Sequence, residues 1–166
     1  FFNSGQVCDA TSRAVVDEAI YDVFIDKLVK ATAELKVGVG LDPETYMSPL
    51  VTQQHRNKVY SYIELARKDG LSILLDRGGN SADDTMLGPV IVQDCPPDHP
   101  IWREEIFGPV LAVQRANGLD ALLTLAEDTE YGLGASIYSK NIDTIMTASK
   151  RLNTGTIYVN GHGFLD

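Results

Sequence analysis

Apolar side chains along the chain follow two spacings, one typical of helices and one typical of buried strands. Four stretches repeat apolar residues every three or four positions, so that each presents one apolar stripe. The glycines that follow three of these stretches favour helix ends, because glycine readily adopts the left-handed conformation found there. We therefore predict four helices, beginning near Asp17, Thr52, Asn117 and Asn141.

Short runs of β-branched and apolar residues lie between these helical stretches and predict buried strands. Because helices and strands alternate, the pattern favours βα units around a parallel sheet over a helical bundle or a β-sandwich. The predicted fold is a three-layer αβα domain with an open, mainly parallel sheet. The predicted strands are residues 13–16, 72–75, 89–92, 110–113, 135–138 and 156–159.

Composition restricts the class of protein further. A chain of 166 residues with 44% apolar content suits one globular domain, here residues 1–166. The net charge of −9, spread along the chain, argues against nucleic acid as a partner. No apolar run is long enough to span a bilayer and no basic leader precedes one, so we expect a cytoplasmic protein without a membrane partner. The first residue is Phe1 rather than Met, from which we expect a fragment.

Two cysteines are too few for a disulfide scaffold, and we expect no structural metal. Zinc sites require Cys and His at short spacings, whereas His55, His99 and His162 are scattered. Cys95 lies in a Pro-rich stretch, 95–100, that reads as a turn, and we interpret it as a structural or exposed thiol. Cys8 lies in a polar, Gly-containing stretch just before the first strand. It is therefore either a small buried hydrophobe or an accessible nucleophile.

Two segments decide between these readings of Cys8. Residues 2–8 read Phe-Asn-Ser-Gly-Gln-Val-Cys, and residues 104–110 read Glu-Glu-Ile-Phe-Gly-Pro-Val. In this order and at this separation they resemble the aldehyde dehydrogenase superfamily. Tyr-Gly-Leu at 131–133 and Gly-Thr-Ile-Tyr-Val-Asn at 155–160 extend the resemblance over essentially the whole chain.

The resemblance implies that the Cys8 thiolate adds to an aldehyde, that the thiohemiacetal transfers hydride to NAD or NADP, and that water releases a carboxylic acid from the resulting thioester. Glu105 matches the family glutamate that binds the nicotinamide ribose, and Phe107 matches the aromatic residue beside that ribose. Without the resemblance, Glu105 would read as a solvated charge and Phe107 as a core anchor. Phe164 falls where the family lines its aldehyde tunnel, although a core aromatic explains it about as well. Asp9 would raise the thiol pKa of Cys8 if its carboxylate came close.

Groups that the resemblance calls for cannot be assigned within this chain. These are the cofactor-binding domain, the oxyanion asparagine, the deacylating glutamate, the cofactor lysine and a C-terminal Pro-Phe-Gly-Gly segment. We therefore expect one catalytic domain, truncated at both ends and inactive alone, from an enzyme that forms homodimers or homotetramers. Transfer of the thioester to coenzyme A, and a non-catalytic interaction module, stay open as alternatives. A cysteine hydrolase would need a partnered histidine, for which none of the three has a recognisable motif.

Overall fold

The computed structural model describes residues 1–79 and 85–163. Its six strands coincide with the predicted runs to within a few residues. Their bounds are β1 Arg13–Asp17, β2 Ser72–Asp76, β3 Val90–Gln93, β4 Val110–Ala116, β5 Gly134–Ile137 and β6 Thr156–Val159. The α-helices are α1 Tyr21–Ala33, α2 Gln53–Lys68, α3 Pro100–Arg103, α4 Leu119–Glu127 and α5 Ile142–Arg151.

The strands divide between two sheets rather than forming one. The larger sheet has the order β1-β4-β3-β2, in which β1, β4 and β3 run parallel and only β2 is antiparallel. The smaller sheet pairs β5 with β6 in parallel. The predicted mainly parallel α/β architecture is confirmed, and its division into two sheets is a feature that the sequence pattern did not reveal.

Alternate residues of the central strand β4 face opposite layers, which gives the larger sheet its two covered faces. Val110 and Ala112 pack with Val59 and Ile63 of α2. Leu111 and Val113 belong to the cluster on the opposite face, against which α1 packs through Phe24, Ile25, Leu28 and Val29. The smaller sheet has its own apolar cluster, in which Leu123 of α4, Ile137 of β5 and Ala148 of α5 are buried.

Side-chain caps mark the starts of α2, α3 and α5, whereas α1 and α4 begin without one. Thr52 and Asn141 cap α2 and α5 as predicted, each accepting a hydrogen bond from a backbone N–H of the first turn. Asp17 instead caps a 3₁₀ turn, Glu18–Ile20, and α1 begins after it. The stretch 95–100 was predicted as a turn, but its end begins α3, because His99 accepts from the N–H of Ile101 and Pro100 fits the first helical position. The stretch 77–85, whose glycines and aspartates also predict a turn, lies partly outside the described residues.

Candidate active site

The segment before Cys8 is a tightly folded loop. Asn3, Ser4 and Gly5 all have positive φ, of 49°, 56° and 74°. Ser4 is fully buried and its Oγ donates to the Ser48 carbonyl at 2.5 Å. The Gln6 side chain accepts from the N–H of Val51 at 2.8 Å and donates to the Asn3 carbonyl at 3.2 Å. These bonds fix the polypeptide on the N-terminal side of Cys8, which is itself exposed.

Two glycines bring the distant motifs into contact. A Cβ placed on Gly5 would lie 2.2 Å from the carbonyl oxygen of Gly108, so the two backbones touch directly. A Cβ on Gly108 would in turn lie 2.6 Å from the side chain of Val59 on α2. The glycines of the two segments therefore allow the Cys8 loop to pack on the turn that leads into β4.

Cys8, Glu105 and Phe107 line the same small cavity. Val7, Thr11 and Ser12 on one side and Ile106 and Gly108 on the other complete most of its wall. The structure thus brings together three residues that the sequence motifs singled out. Phe164, the predicted substrate contact, lies outside the described residues.

Phe107 adopts a left-handed backbone conformation, with φ of 59°, and its carbonyl oxygen lies 2.7 Å from His55 Nε2. Because a carbonyl oxygen can only accept, Nε2 of His55 carries the proton and donates. The two rings meet edge to face with centroids 6.1 Å apart. His55 therefore supports the Phe107 turn, a role that its place in the sequence gave no means of finding.

The neighbouring glutamates differ in what their carboxylates contact. The carboxylate of Glu104 accepts from the Tyr62 hydroxyl at 2.5 Å, so this residue is held against α2. Glu105 is exposed, and among the described residues its carboxylate has no hydrogen-bond or ion-pair partner. Its backbone is fixed instead, since its N–H donates to Tyr131 Oη at 3.2 Å and its carbonyl accepts from Lys58 Nζ at 3.4 Å. The free carboxylate at the cavity is thus that of Glu105.

Asp9 turns toward the smaller sheet. Its carboxylate accepts from the Tyr158 hydroxyl at 2.9 Å, and its carbonyl oxygen lies 2.7 Å from His162 Nε2. The sequence left the orientation of this side chain open. In the structure its carboxylate lies between Gly134 at the start of β5 and Tyr158 of β6.

Cys95 is a buried core residue with 1% of its surface exposed. It packs with Trp102 and Val92, and burial raises the pKa of its thiol to about 11. Of the two readings offered by the sequence, structural or exposed, the structural one is therefore correct.

The three histidines form no nucleophile–base pair with Cys8 in the described structure. His55 bonds to Phe107, the Nδ1 of His99 caps α3, and His162 bonds to Asp9 and Ser136. No support for a cysteine hydrolase follows from these contacts.

Residues 1–79 and 85–163 also contain no group of three or more His, Cys, Asp or Glu arranged to hold a metal. In the same part of the chain, no helix has both the length and the apolar character needed to cross a membrane.

The profile of the aldehyde dehydrogenase family matches residues 1–165, and the chain belongs to that family. Among its relatives is the betaine aldehyde dehydrogenase of Bacillus subtilis (strain 168), with 39% identity over 166 residues, 96% of this chain and 34% of that protein. The 1-pyrroline-5-carboxylate dehydrogenase of Geobacillus sp. (strain WCH70) is 36% identical over 157 residues, 95% of this chain and 30% of that protein.

The betaine aldehyde dehydrogenase of Staphylococcus aureus, solved in complex with NAD+, superposes with a TM-score of 0.91 and 32% identity. The match covers 99% of this chain and 34% of that one. The chain therefore spans about a third of the length of the relatives it matches.

Proposed function

We propose that Cys8 is the nucleophile of an NAD(P)-dependent aldehyde oxidation carried out by a longer enzyme that contains this chain. The observation that carries the proposal is that Cys8, Glu105 and Phe107 line one cavity, although Glu105 and Phe107 lie far from Cys8 in the sequence. Family membership supports the reaction class. The coverage of about a third of the relatives supports a catalytic domain that depends on further parts of the enzyme.

Cys8 suits covalent catalysis because its sulfur is exposed while the loop that carries it is fixed. The Cys8 thiolate would add to the aldehyde carbonyl carbon and form the alkoxide of a thiohemiacetal, whose loss of hydride leaves a thioester on the same sulfur. Attack of water on that thioester releases the carboxylic acid and returns the thiol. Groups that polarise the carbonyl and activate the water are assigned to other parts of the enzyme, so we expect the isolated chain to be inactive.

Glu105 and Phe107 are suited to contact the nicotinamide ribose of the cofactor. The exposed Glu105 carboxylate can accept hydrogen bonds from two vicinal ribose hydroxyls, and Phe107 offers an apolar surface next to it. When bound there, NAD or NADP would supply the hydride acceptor. The fixed backbone of Glu105 keeps its carboxylate beside the cavity of Cys8. We also propose that the enzyme acts on small aldehydes and assembles from identical subunits.

The test is a pair of cysteine variants of the intact protein that contains this sequence. Cys8→Ser should lower the formation of reduced nicotinamide from an aldehyde and NAD by at least about 10³-fold, because a serine hydroxyl is a far weaker nucleophile near neutral pH. Cys95→Ala, in the core and away from the cavity, should keep kcat within about threefold. Equal activity of the Cys8→Ser variant and the unchanged protein would refute the proposal.

A further inference from the structure

A chain of hydrogen bonds connects the peptide after Cys8 to the smaller sheet. Ser136 Oγ, on β5, lies 2.7 Å from His162 Nδ1, and His162 Nε2 lies 2.7 Å from the Asp9 carbonyl oxygen. Tyr158 Oη, on β6, donates to the Asp9 carboxylate at 2.9 Å. Two residues from the last fifth of the chain, Tyr158 and His162, thus contact the residue that follows the cysteine, and Ser136 is linked to it through His162.

The direction of each bond follows from the chemistry of the acceptors. A backbone carbonyl cannot donate, so Nε2 of His162 must carry a proton to bond with Asp9. In the neutral imidazole, Nδ1 is then an acceptor, and the Ser136 hydroxyl donates to it. The Asp9 carbonyl therefore requires the tautomer of His162 with a proton on Nε2, and the Ser136 hydroxyl, which can donate or accept, complements it.

The Asp9 side chain fits closely between its partners. A Cβ on Gly134 would lie only 2.4 Å from Asp9 Oδ1, so the absence of a side chain on β5 makes room for this carboxylate. The hydrogen bond to Asp9 also raises the pKa of Tyr158, which keeps the phenol protonated as a donor. The rings of Tyr158 and His162 pack edge to face, 5.4 Å apart, and orient one another.

We propose that Ser136, Tyr158 and His162 are positioning residues: His162 holds the backbone of Asp9, Tyr158 holds its carboxylate, Ser136 supports His162, and together they fix Cys8 for attack. This inference rests on the proposed function of Cys8 as nucleophile. Ser4, Gly5 and Gln6 fix the polypeptide before Cys8, and the bonds to Asp9 fix it afterwards. Holding both sides of an exposed nucleophile matters, because a displacement of about 1 Å can cost on the order of 10²-fold in rate.

A matched pair of His162 variants of the intact protein tests this role, with a short-chain aldehyde and NAD as the assay substrates. His162→Ala removes the donor to Asp9 and should lower kcat about tenfold, with KM changed by less than about twofold. His162→Gln retains an N–H at the end of the side chain and should restore kcat to within about threefold. Amide hydrogen exchange of the 7–11 segment should accelerate in His162→Ala but not in His162→Gln.

A second pair of variants separates this contact from general effects on the sheet. Tyr158→Phe removes the hydroxyl that binds Asp9 and should lower kcat by roughly three- to tenfold. Tyr138→Phe is the control, since Tyr138 follows β5, is 68% exposed and makes no hydrogen bond to any described residue through its hydroxyl. Its kcat should stay unchanged.

The outcomes distinguish the two proposals. If Cys8→Ser abolishes turnover while His162→Ala and Tyr158→Phe keep kcat and the exchange of 7–11 unchanged, the positioning role is wrong and the nucleophile assignment stands. If Cys8→Ser itself retains turnover, the proposed function fails first. A His162→Gln variant as slow as His162→Ala, with both unfolding at the temperature of the unchanged protein, would also overturn the positioning role.

Discussion

At the scale of single residues, Gly5 carries a requirement that no other residue type meets. Its φ is +74°, and a Cβ would collide with the Gly108 carbonyl. We predict that Gly5→Ala lowers the free energy of unfolding by about 3 kcal/mol, since it combines left-handed strain with a backbone clash. Gly70→Ala is the matched control, because Gly70 has φ of +69° but open space around its Cα. It should cost only about 1 kcal/mol.

Denaturant unfolding of both glycine variants in the intact protein measures these costs. Equal losses in the two would mean that the close approach of Gly5 to Gly108 contributes nothing. The two sequence motifs contain one of these glycines each, but the contact between Gly5 and Gly108 could not be read from the motifs, because it depends on how two distant loops pack.

The two cysteines should differ strongly in reactivity, since thiolate is the species that alkylates. Cys8 is exposed, whereas Cys95 is buried and has a pKa raised to about 11. At neutral pH we expect iodoacetamide to label Cys8 at least about 100-fold faster than Cys95. Peptide mass mapping after brief labelling measures both rates, and the same reaction in denaturant is the control in which the rates converge. Faster labelling of Cys95 in the native protein would contradict the assignment of Cys95 to the core.

At the scale of secondary-structure elements, the start of α5 depends on one side chain. Asn141 Oδ1 accepts from the backbone N–H groups of Asp143 and Thr144. We predict that Asn141→Ala lowers the free energy of unfolding by about 1 kcal/mol, whereas Asn141→Ser, which keeps an acceptor, loses only a few tenths. Denaturant unfolding curves of the two variants test this. The same loss in both variants would show that the cap does not account for the effect.

Elements that depend on local pattern were predictable, and elements that depend on tertiary contacts were not. The apolar stripe of α2 and its Thr52 cap are local features, and both the helix and its start were predicted from them. The four-residue helix α3 was not predicted, because prolines indicate a turn and only the cap by His99 shows the helix. The same limit applied to the site. Motifs singled out Cys8, Glu105 and Phe107, which line one cavity, but the contacts of Asp9 with Tyr158 and His162 join opposite ends of the chain and have no local signal.

At the scale of the whole molecule, the Cys8 segment lies where the two sheets meet. Gly5 packs on the turn before β4 of the larger sheet, and Asp9 bonds to residues of the smaller sheet and the loop after it. Two arginine side chains also connect the part of the chain around the larger sheet to the end of α4, which packs with the smaller sheet. Arg13 of β1 donates to the carbonyls of Ala126 and Asp128 at the end of α4, and Arg103 of α3 binds the Asp128 carboxylate through two bonds of 2.8 and 2.6 Å.

The Arg103–Asp128 pair makes the junction sensitive to acid. The bidentate bond from Arg103 lowers the pKa of Asp128 in the folded protein. A carboxyl group with a depressed folded pKa stabilises the fold above its unfolded pKa of about 3.9, and this stabilisation is lost as the pH falls through the folded pKa. Asp128→Asn should therefore be less stable than the unchanged protein at about pH 7, and the difference should shrink at about pH 3.

Denaturant midpoints of both proteins at the two pH values measure this difference, and added salt should also reduce it at about pH 7, because the pair is partly exposed and screened. A difference that stayed constant from about pH 7 to about pH 3 would mean that Asp128 acts through its shape and neutral hydrogen bonds rather than its charge. A shrinking difference would make the ion pair between α3 and the end of α4 one of the contacts that hold the two sheets around Cys8.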